Sequence, residues 1–395
     1  MKWLFWSSAG LIGYTYVGYI AWLWLRARLC PRPVRRGPNQ PSVSVVMVVR
    51  DEEKVLREKL HNLLELDYPA QRYEVIVVSD GSVDGTEGIL RECGNPRLCT
   101  VMNQLPRGKA CGLNDGIQMS QGDLVMFTDA RQKVEPCALR ALAEDFVDPE
   151  VGCVSGELML GSPESAEATE GLSLYWRVEK EIRKLEAASG SVVGATGALY
   201  AVRRELLVSV PAGTILDDVY VPMQVAKQGK RVVFEPRARA WDSVDLGTGR
   251  EFARKVRTLN GNYQLLQLAP WLLSSRNPIR FEFISHKLLR LVSPFALLVV
   301  FATSALLPGS LYRIAWFLQV AFYGLSLLAL LRLKRGLLAR TANVALTFVV
   351  LNAAALVAFA NFAGGRKTEW GANKEKRGEI GMRSVPGGNS GKGGR

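Results

Sequence analysis

Four long stretches without a single charged side chain set the terms on which this chain can fold. Residues 3–25 run 23 positions without a charge, 291–312 run 22, 314–331 run 18 and 341–365 run 25. About 20 predominantly apolar residues suffice for a helix to cross a bilayer, so each stretch reads as a candidate span. A cleaved signal peptide would have a shorter apolar region ending in small residues. The first stretch instead ends Trp22-Leu23-Trp24-Leu25 and meets Arg26, Arg28, Arg32, Arg35 and Arg36. It therefore reads as a retained anchor over residues 1–28, with its arginine-rich end in the cytoplasm.

The C-terminal stretches give about three spans within 288–365. A turn is expected near Pro308-Gly309-Ser310, and Arg332, Lys334, Arg335 and Arg340 separate the last two stretches on the cytoplasmic side. Residues 259–273 mix Asn, Gln and Leu around Trp271, so 258–287 reads as interfacial amphipathic helix. Two rules disagree about the tail, residues 366–395. Four crossings from an outside N-terminus would leave it outside. Its 8 basic and 3 acidic residues would keep it in. Its Gly- and Ser-rich end reads as disordered.

Residues 40–257 are different in character and alternate strand and helix signals. A buried β-branched run at 42–49 precedes a helical pattern over 51–66, and a second run at 74–78 precedes a short helix at 86–93. A strand at 98–102, a helix at 109–119 and a strand at 124–128 follow. Such alternation predicts an α/β fold with a mostly parallel sheet and helices on both faces. Ligands in such folds lie beyond the carboxyl ends of the strands. Polar clusters stand at those ends: Arg50-Asp51-Glu52-Glu53, Asp80-Gly81-Ser82 and Asp129-Ala130-Arg131. Each alone has a plain reading, Asp-Gly-Ser as a turn and Asp129 as a helix cap. Three in succession point to a site. No Walker or GxGxxG sequence accompanies them.

The six cysteines form no CxxC pair and there are two histidines, His61 and His286, which argues against zinc. The net charge of +13 clusters beside the apolar stretches. Lipid surface and nucleotide phosphate are the expected partners, and nucleic acid is not.

In this order the motifs resemble the GT-A (Rossmann-like) catalytic domain of the family 2 glycosyltransferases. The closest layout is the membrane-embedded branch containing cellulose, hyaluronan and poly-N-acetylglucosamine synthases. The resemblance implies that Arg50 and Glu52, after Val49, stand where the family holds the nucleoside, and that Asp80 contacts the nucleotide. Gly108-Lys109 and Leu113-Asn114 match a segment whose lysine reaches the diphosphate. Asp129 takes the place of the first aspartate of an Asp-x-Asp metal motif, implying Mg²⁺ or Mn²⁺. Gly194, Thr196 and Gly197, with Arg203-Arg204, resemble a glycine-rich acceptor-side segment. Asp217-Asp218 match a motif whose last acid is the catalytic base, and Arg254 to Thr258 stand where processive members carry Gln-x-x-Arg-Trp.

The resemblance further implies an inverting transfer from a nucleotide sugar, expected to be UDP-linked in this chain, to a glycan or lipid-linked acceptor. The setting is the inner membrane, multi-pass, with the catalytic domain cytoplasmic; oligomeric state stays open. Two departures stand out. Arg131 replaces the second metal aspartate and either touches phosphate or lies on the surface. Thr258 replaces the tryptophan, with Trp241 or Trp176 as substitute stacking platforms or simply core. Asp217-Asp218 also read as an acidic helix cap, and Arg254 with Arg257 as a pair meeting diphosphate or lipid headgroups. Besides polymer extension, transfer to a polyprenyl or other lipid carrier, or a binding subunit without turnover, stands as an alternative.

Overall fold

The computed structural model describes residues 1–161, 170–242, 248–331 and 336–366. An N-terminal helix runs from α1 (Lys2–Gly13) through a π turn into α2 (Tyr19–Leu29). The catalytic-type domain begins with β1 (Val43–Val49), α3 (Glu53–Leu64), β2 (Tyr73–Asp80), α4 (Thr86–Glu92), β3 (Leu98–Asn103), α5 (Lys109–Met119) and β4 (Leu124–Thr128). It continues with the short β5 (Lys133–Val134), α6 (Ala138–Asp145), β6 (Val151–Leu160), α7 (Glu170–Ser189), β7 (Leu199–Arg203), α8 (Asp217–Lys227) and β8 (Arg231–Asp242).

All seven residues of β1 are buried, as befits a central strand covered on both faces. Val43, Val45, Met47 and Val49 pack one way, with α3 and α6. Val46 and Val48 pack the other way, with residues of α5 and α8. The two cores follow from the two-residue period of a strand.

The eight strands lie in the order β3-β2-β1-β4-β7-β6-β8-β5. Pairing is parallel from β3 to β4 and between β6 and β8, but β7 runs antiparallel to both β4 and β6, and β5 antiparallel to β8. The reversal at β7 is the feature the βα alternation did not announce. It brings Gly197 and the chain before β7 alongside the end of β4.

After β8 come α9 (Thr248–Leu268), α10 (Arg280–Phe283), which passes through a π turn into α11 (Leu289–Leu306), then α12 (Ser310–Leu328) and α13 (Leu337–Ala363). Among the described residues, three helical stretches are long and apolar enough to cross a membrane: Arg280–Leu306, Ser310–Leu331 and Leu337–Ala363. The N-terminal helix is not one of them by hydropathy. It packs on α11, with Phe5 buried beside Val300 and Leu307. The separators Arg332, Lys334 and Arg335 and the tail from 367 onward lie outside the described residues.

The stretch read as an interfacial helix is placed differently. α9 runs through the boundary expected at 257/258, and Leu265, Ala269 and Leu272 are buried in the same core as Val219 and Val221 of α8. On its other side Tyr263 stacks on Phe362 of α13, ring centroids 5.2 Å apart. Leu265, Ala269, Leu272 and Tyr263 therefore pack within the chain, while Leu273 and Phe281 further along the segment are exposed.

Candidate active site

The carboxyl ends of β1 and β4, the start of α5 and the start of α8 converge on one cavity of about 940 Å³. Its lining includes Arg50, Glu52, Lys109, Asp129, Arg131, Gly197, Asp217, Asp218, Arg257 and Thr258.

At the end of β1, Asp51 adopts a left-handed backbone with φ of 54°, a conformation that asparagine and aspartate tolerate better than most residues but that still costs about 1 kcal/mol or more. Its Oδ1 accepts the Val83 N–H at 2.8 Å, and its own N–H donates to Ser82 Oγ at 3.2 Å. The Glu52 N–H donates to Thr86 Oγ1 at 2.9 Å. Asp51 thereby ties the loops after β1 and β2 together, while Arg50 and Glu52 face the cavity.

Asp80, expected to contact the nucleotide, is engaged by the backbone of a neighbouring turn. It is fully buried and is absent from the cavity wall. Its Oδ1 accepts the Arg107 N–H and its Oδ2 the Gly108 N–H, each at 2.8 Å. Both oxygens are thus engaged by the turn in which Gly108, with φ of 90°, launches α5 at Lys109. Asn114 likewise points away from the cavity, exchanging two hydrogen bonds with the Val210 backbone.

Lys109 is the hub of the cavity floor. Its Nζ lies 3.0 Å from Asp129 Oδ1 and 3.2 Å from Asp217 Oδ2. Burial alone would lower its pKa, but the carboxylates of Asp129, Asp217 and Asp218 outweigh that and hold it above the ordinary lysine value. It stays an ammonium.

Asp217 and Asp218 open α8 as its first two residues, one position past the cap, which is Leu216. The acidic-cap reading is therefore displaced by one residue, although carboxylates in a first turn still suit the helix dipole. Asp218 Oδ2 accepts the Gly197 N–H at 3.1 Å, and its carbonyl accepts the Ala195 N–H at 2.7 Å. Gly194, with φ of 88°, sits where a Cβ would come within 3.0 Å of Val219. A Cβ at Gly197 would lie 3.3 Å from Asp218 Oδ2 and 3.7 Å from Asp129 Oδ2, so glycine there lets two carboxylates flank the same point. Burial first, then the neighbouring Asp217 charge, push Asp218 up to about 6 against the pull of Lys109.

The remaining expected residues divide. Thr196 is buried and its N–H donates to Ser155 Oγ at 3.1 Å, so it braces the segment. Arg203 and Arg204 donate to backbone carbonyls of Val151, Phe146 and Gly122, stitching strands away from the cavity. Arg257 and Thr258 reach the cavity, whereas Arg254 lies off it with Nη1 3.7 Å from Asp242 Oδ2. Trp241 Nε1 donates to Glu135 Oε1 at 2.7 Å, and Trp176 packs on Tyr175 beneath Lys255, so neither lines the cavity.

Several lining residues carried no signal in the sequence. Ala212 to Leu216 form one wall. Gln264 and Gln267 of α9, and Phe362, Gly365 and Arg366 at the end of α13, form another. Gln264 grips the first wall with both ends of its amide, Oε1 accepting the Ile215 N–H and Nε2 donating to the Gly213 carbonyl, each at 2.9 Å.

As to a divalent ion, no group of three His, Cys, Asp or Glu is arranged as a metal site among the described residues. Asp129 nevertheless turns Oδ2 toward the point it shares with Asp218, leaving one carboxylate oxygen on the cavity side. Magnesium is often held by one or two protein carboxylates with substrate phosphates supplying the rest, so this donor set fits such an ion once a diphosphate is bound.

A mixed sheet of this order, with acids at the carboxyl ends of its strands beneath one cavity, is the GT-A fold. The fold is shared with the mannosyltransferase PcManGT from Pyrobaculum calidifontis, solved in complex with GDP-Man and Mn²⁺. The two superpose with a TM-score of 0.69 at 22% identity, over 92% of this chain and 99% of that one. Residues 44–209 match the family described as glycosyl transferase family 2. The chain is also 27% identical over 247 residues to the poly-beta-1,6-N-acetyl-D-glucosamine synthase of Staphylococcus aureus (strain COL), covering 61% of this chain and 60% of that protein. To the synthase of the same description from Staphylococcus epidermidis it is 26% identical over 234 residues. The match thus spans about 60% of the length of these relatives.

Proposed function

We propose that this chain is a membrane-bound inverting glycosyltransferase that moves a sugar from a nucleotide sugar, UDP-linked, onto a cell-envelope polysaccharide or glycolipid at the cytoplasmic face of the inner membrane. The observation that carries this reading is Asp218, held by the Gly197 N–H on the cavity floor beside the Asp129–Lys109–Asp217 chain. In the transfer, an acceptor hydroxyl oxygen attacks the anomeric carbon and its proton passes to the Asp218 carboxylate. The bond to the nucleoside diphosphate breaks on the opposite face, inverting the configuration. A pKa of about 6 leaves Asp218 ionised at neutral pH yet basic enough to take that proton.

The departing diphosphate gathers negative charge, and Lys109, Arg257 and Arg131 are the cavity cations placed to meet it. Asp129 would hold Mg²⁺ or Mn²⁺, which supplies further neutralisation of the diphosphate when bound. Thr258 in place of the tryptophan, with Trp176 and Trp241 outside the cavity lining, favours transfer to a lipid carrier over long processive extension, Phe362 being the aromatic that lines the cavity. The apolar helices and the Arg26–Arg36 cluster support the membrane setting.

The test uses purified full-length chain in nanodiscs, a panel of nucleotide sugars, lipid and oligosaccharide acceptors, and Mg²⁺, Mn²⁺ or EDTA. Nucleoside diphosphate release from one donor, reduced at least roughly 100-fold in Asp218→Asn, is the expected outcome. Donor binding with no release above Asp218→Asn, with every acceptor, would instead identify a binding subunit.

A further inference from the structure

Lys59 is a charged residue that the mechanism above leaves unused. It lies on α3, is only 3% exposed, and sits in the apolar core with Leu56, Leu60, Leu63, Ala130 and Val134. A lysine in such a place is rare, because an ammonium removed from water is strongly destabilising unless its protons are satisfied. Its Nζ donates to Thr128 Oγ1 at 3.0 Å and to the Gln132 carbonyl at 2.6 Å. These acceptors flank Asp129, Ala130 and Arg131. One side chain therefore holds both ends of the turn that presents Asp129 and Arg131 to the cavity.

The grip extends further. Thr128 Oγ1 donates its own proton to the Ala198 carbonyl at 2.8 Å, and the preceding residue, Gly197, is the one whose N–H holds Asp218. A short path thus runs from Lys59 through Thr128 and Ala198 to Asp218, the proposed base, and through the turn to Asp129. Burial pushes the Lys59 pKa down to about 7, and the Asp129 charge works against that fall. Asp129 accordingly has Lys109 on its cavity side and Lys59 behind the turn.

We propose that Lys59 is a positioning residue for donor binding, which fixes the Asp129–Arg131 turn from inside the core. The proposal rests on the glycosyltransferase reading for its kinetic part and is independent of that reading for its structural part. The substitution Lys59→Met keeps the length and apolar stem, removes the buried charge, and suits the surrounding leucines. Full-length Lys59→Met in nanodiscs is expected to stay folded, because removing the buried ammonium offsets the loss of a donor for Thr128 Oγ1 and the Gln132 carbonyl. Hydrogen–deuterium exchange of peptides covering residues 124–134 is expected to rise about tenfold with the rest of the domain unchanged. The KM for the nucleotide sugar is expected to rise between about 10- and 100-fold, the range for residues that orient a ligand-holding group, with the acceptor KM unmoved.

Thr128→Val removes the hydroxyl relay at nearly constant volume and serves where Lys59→Met fails to fold. It is expected to show the same exchange and donor-KM changes, and the pair to be clearly non-additive. Unchanged exchange at 124–134, or an unchanged donor KM alongside measurable turnover, overturns the proposal. A wild-type chain that binds no nucleotide sugar sinks the functional reading, while the exchange result still decides whether Lys59 holds the turn.

Discussion

At neutral pH a carboxyl group with a pKa near 6 is mostly ionised, and the rate it supports then depends on pH in one direction. In the proposed mechanism Asp218 must be a carboxylate to take the acceptor proton, so activity is expected to be lost as pH falls through about 6. The slope expected for kcat/KM is about tenfold per pH unit on the acid side, with a plateau above, and Asp218→Asn should be low and flat across the range. A pH–rate profile with a limb near the ordinary carboxylate value, about 4, would mean that burial and Asp217 do not act on this group as described. The same scale shows what could be read in advance. Lys109, Asp129 and Asp218 stand in motifs whose order along the chain announces them. Lys59 does not, because a lysine among the residues of an amphipathic helix reads as solvent-facing, and only the packed structure reveals Gln132 and Thr128 above it. Asp80 stands in a legible motif, but its hydrogen bonds to the backbone before α5 were not legible. Its oxygens shape the start of α5, which no local pattern specifies.

Among the elements, α9 carries more than its amphipathic pattern suggests. Gly261 lies against Leu216, the residue before the acid pair, and a Cβ there would sit 2.6 Å from Leu216 Cγ and 3.0 Å from Ile215 Cγ2. Gly261→Ala should gain helix propensity yet lose stability by about 1–3 kcal/mol through overpacking. It should also lower kcat more than it raises the donor KM, because the displaced residue leads directly into Asp217 and Asp218. Denaturant unfolding together with donor kinetics measures both effects, and a variant as stable and active as the wild type would show that α9 does not brace this loop. The elements also mark how far sequence patterns reach. β1, α5 and β4 are legible because their burial repeats along the chain. The antiparallel β7 is not, since Phe127 of β4 pairs with the distant Tyr200, and such a pairing is decided by the sheet as a whole.

For the whole molecule, the most consequential arrangement is the end of α13. Phe362, Gly365 and Arg366 line the same cavity as Asp218, and Tyr263 of α9 packs on both Phe359 and Phe362. Arg366, the last described residue, therefore lies at the cavity, and the positive-inside tendency of the basic residues after it favours the same side. A green fluorescent protein fused after Arg366 should fluoresce in cells, and an alkaline phosphatase fused there should be inactive. The reverse pattern would contradict this placement. One wall of the reaction chamber is the tip of a helix apolar enough to be immersed in lipid. A helix immersed in lipid adjusts its depth and tilt to the bilayer thickness, so activity is expected to change with the acyl-chain length of the nanodisc lipid, and an activity indifferent to that length would show that the tip of α13 does not couple the cavity to the bilayer.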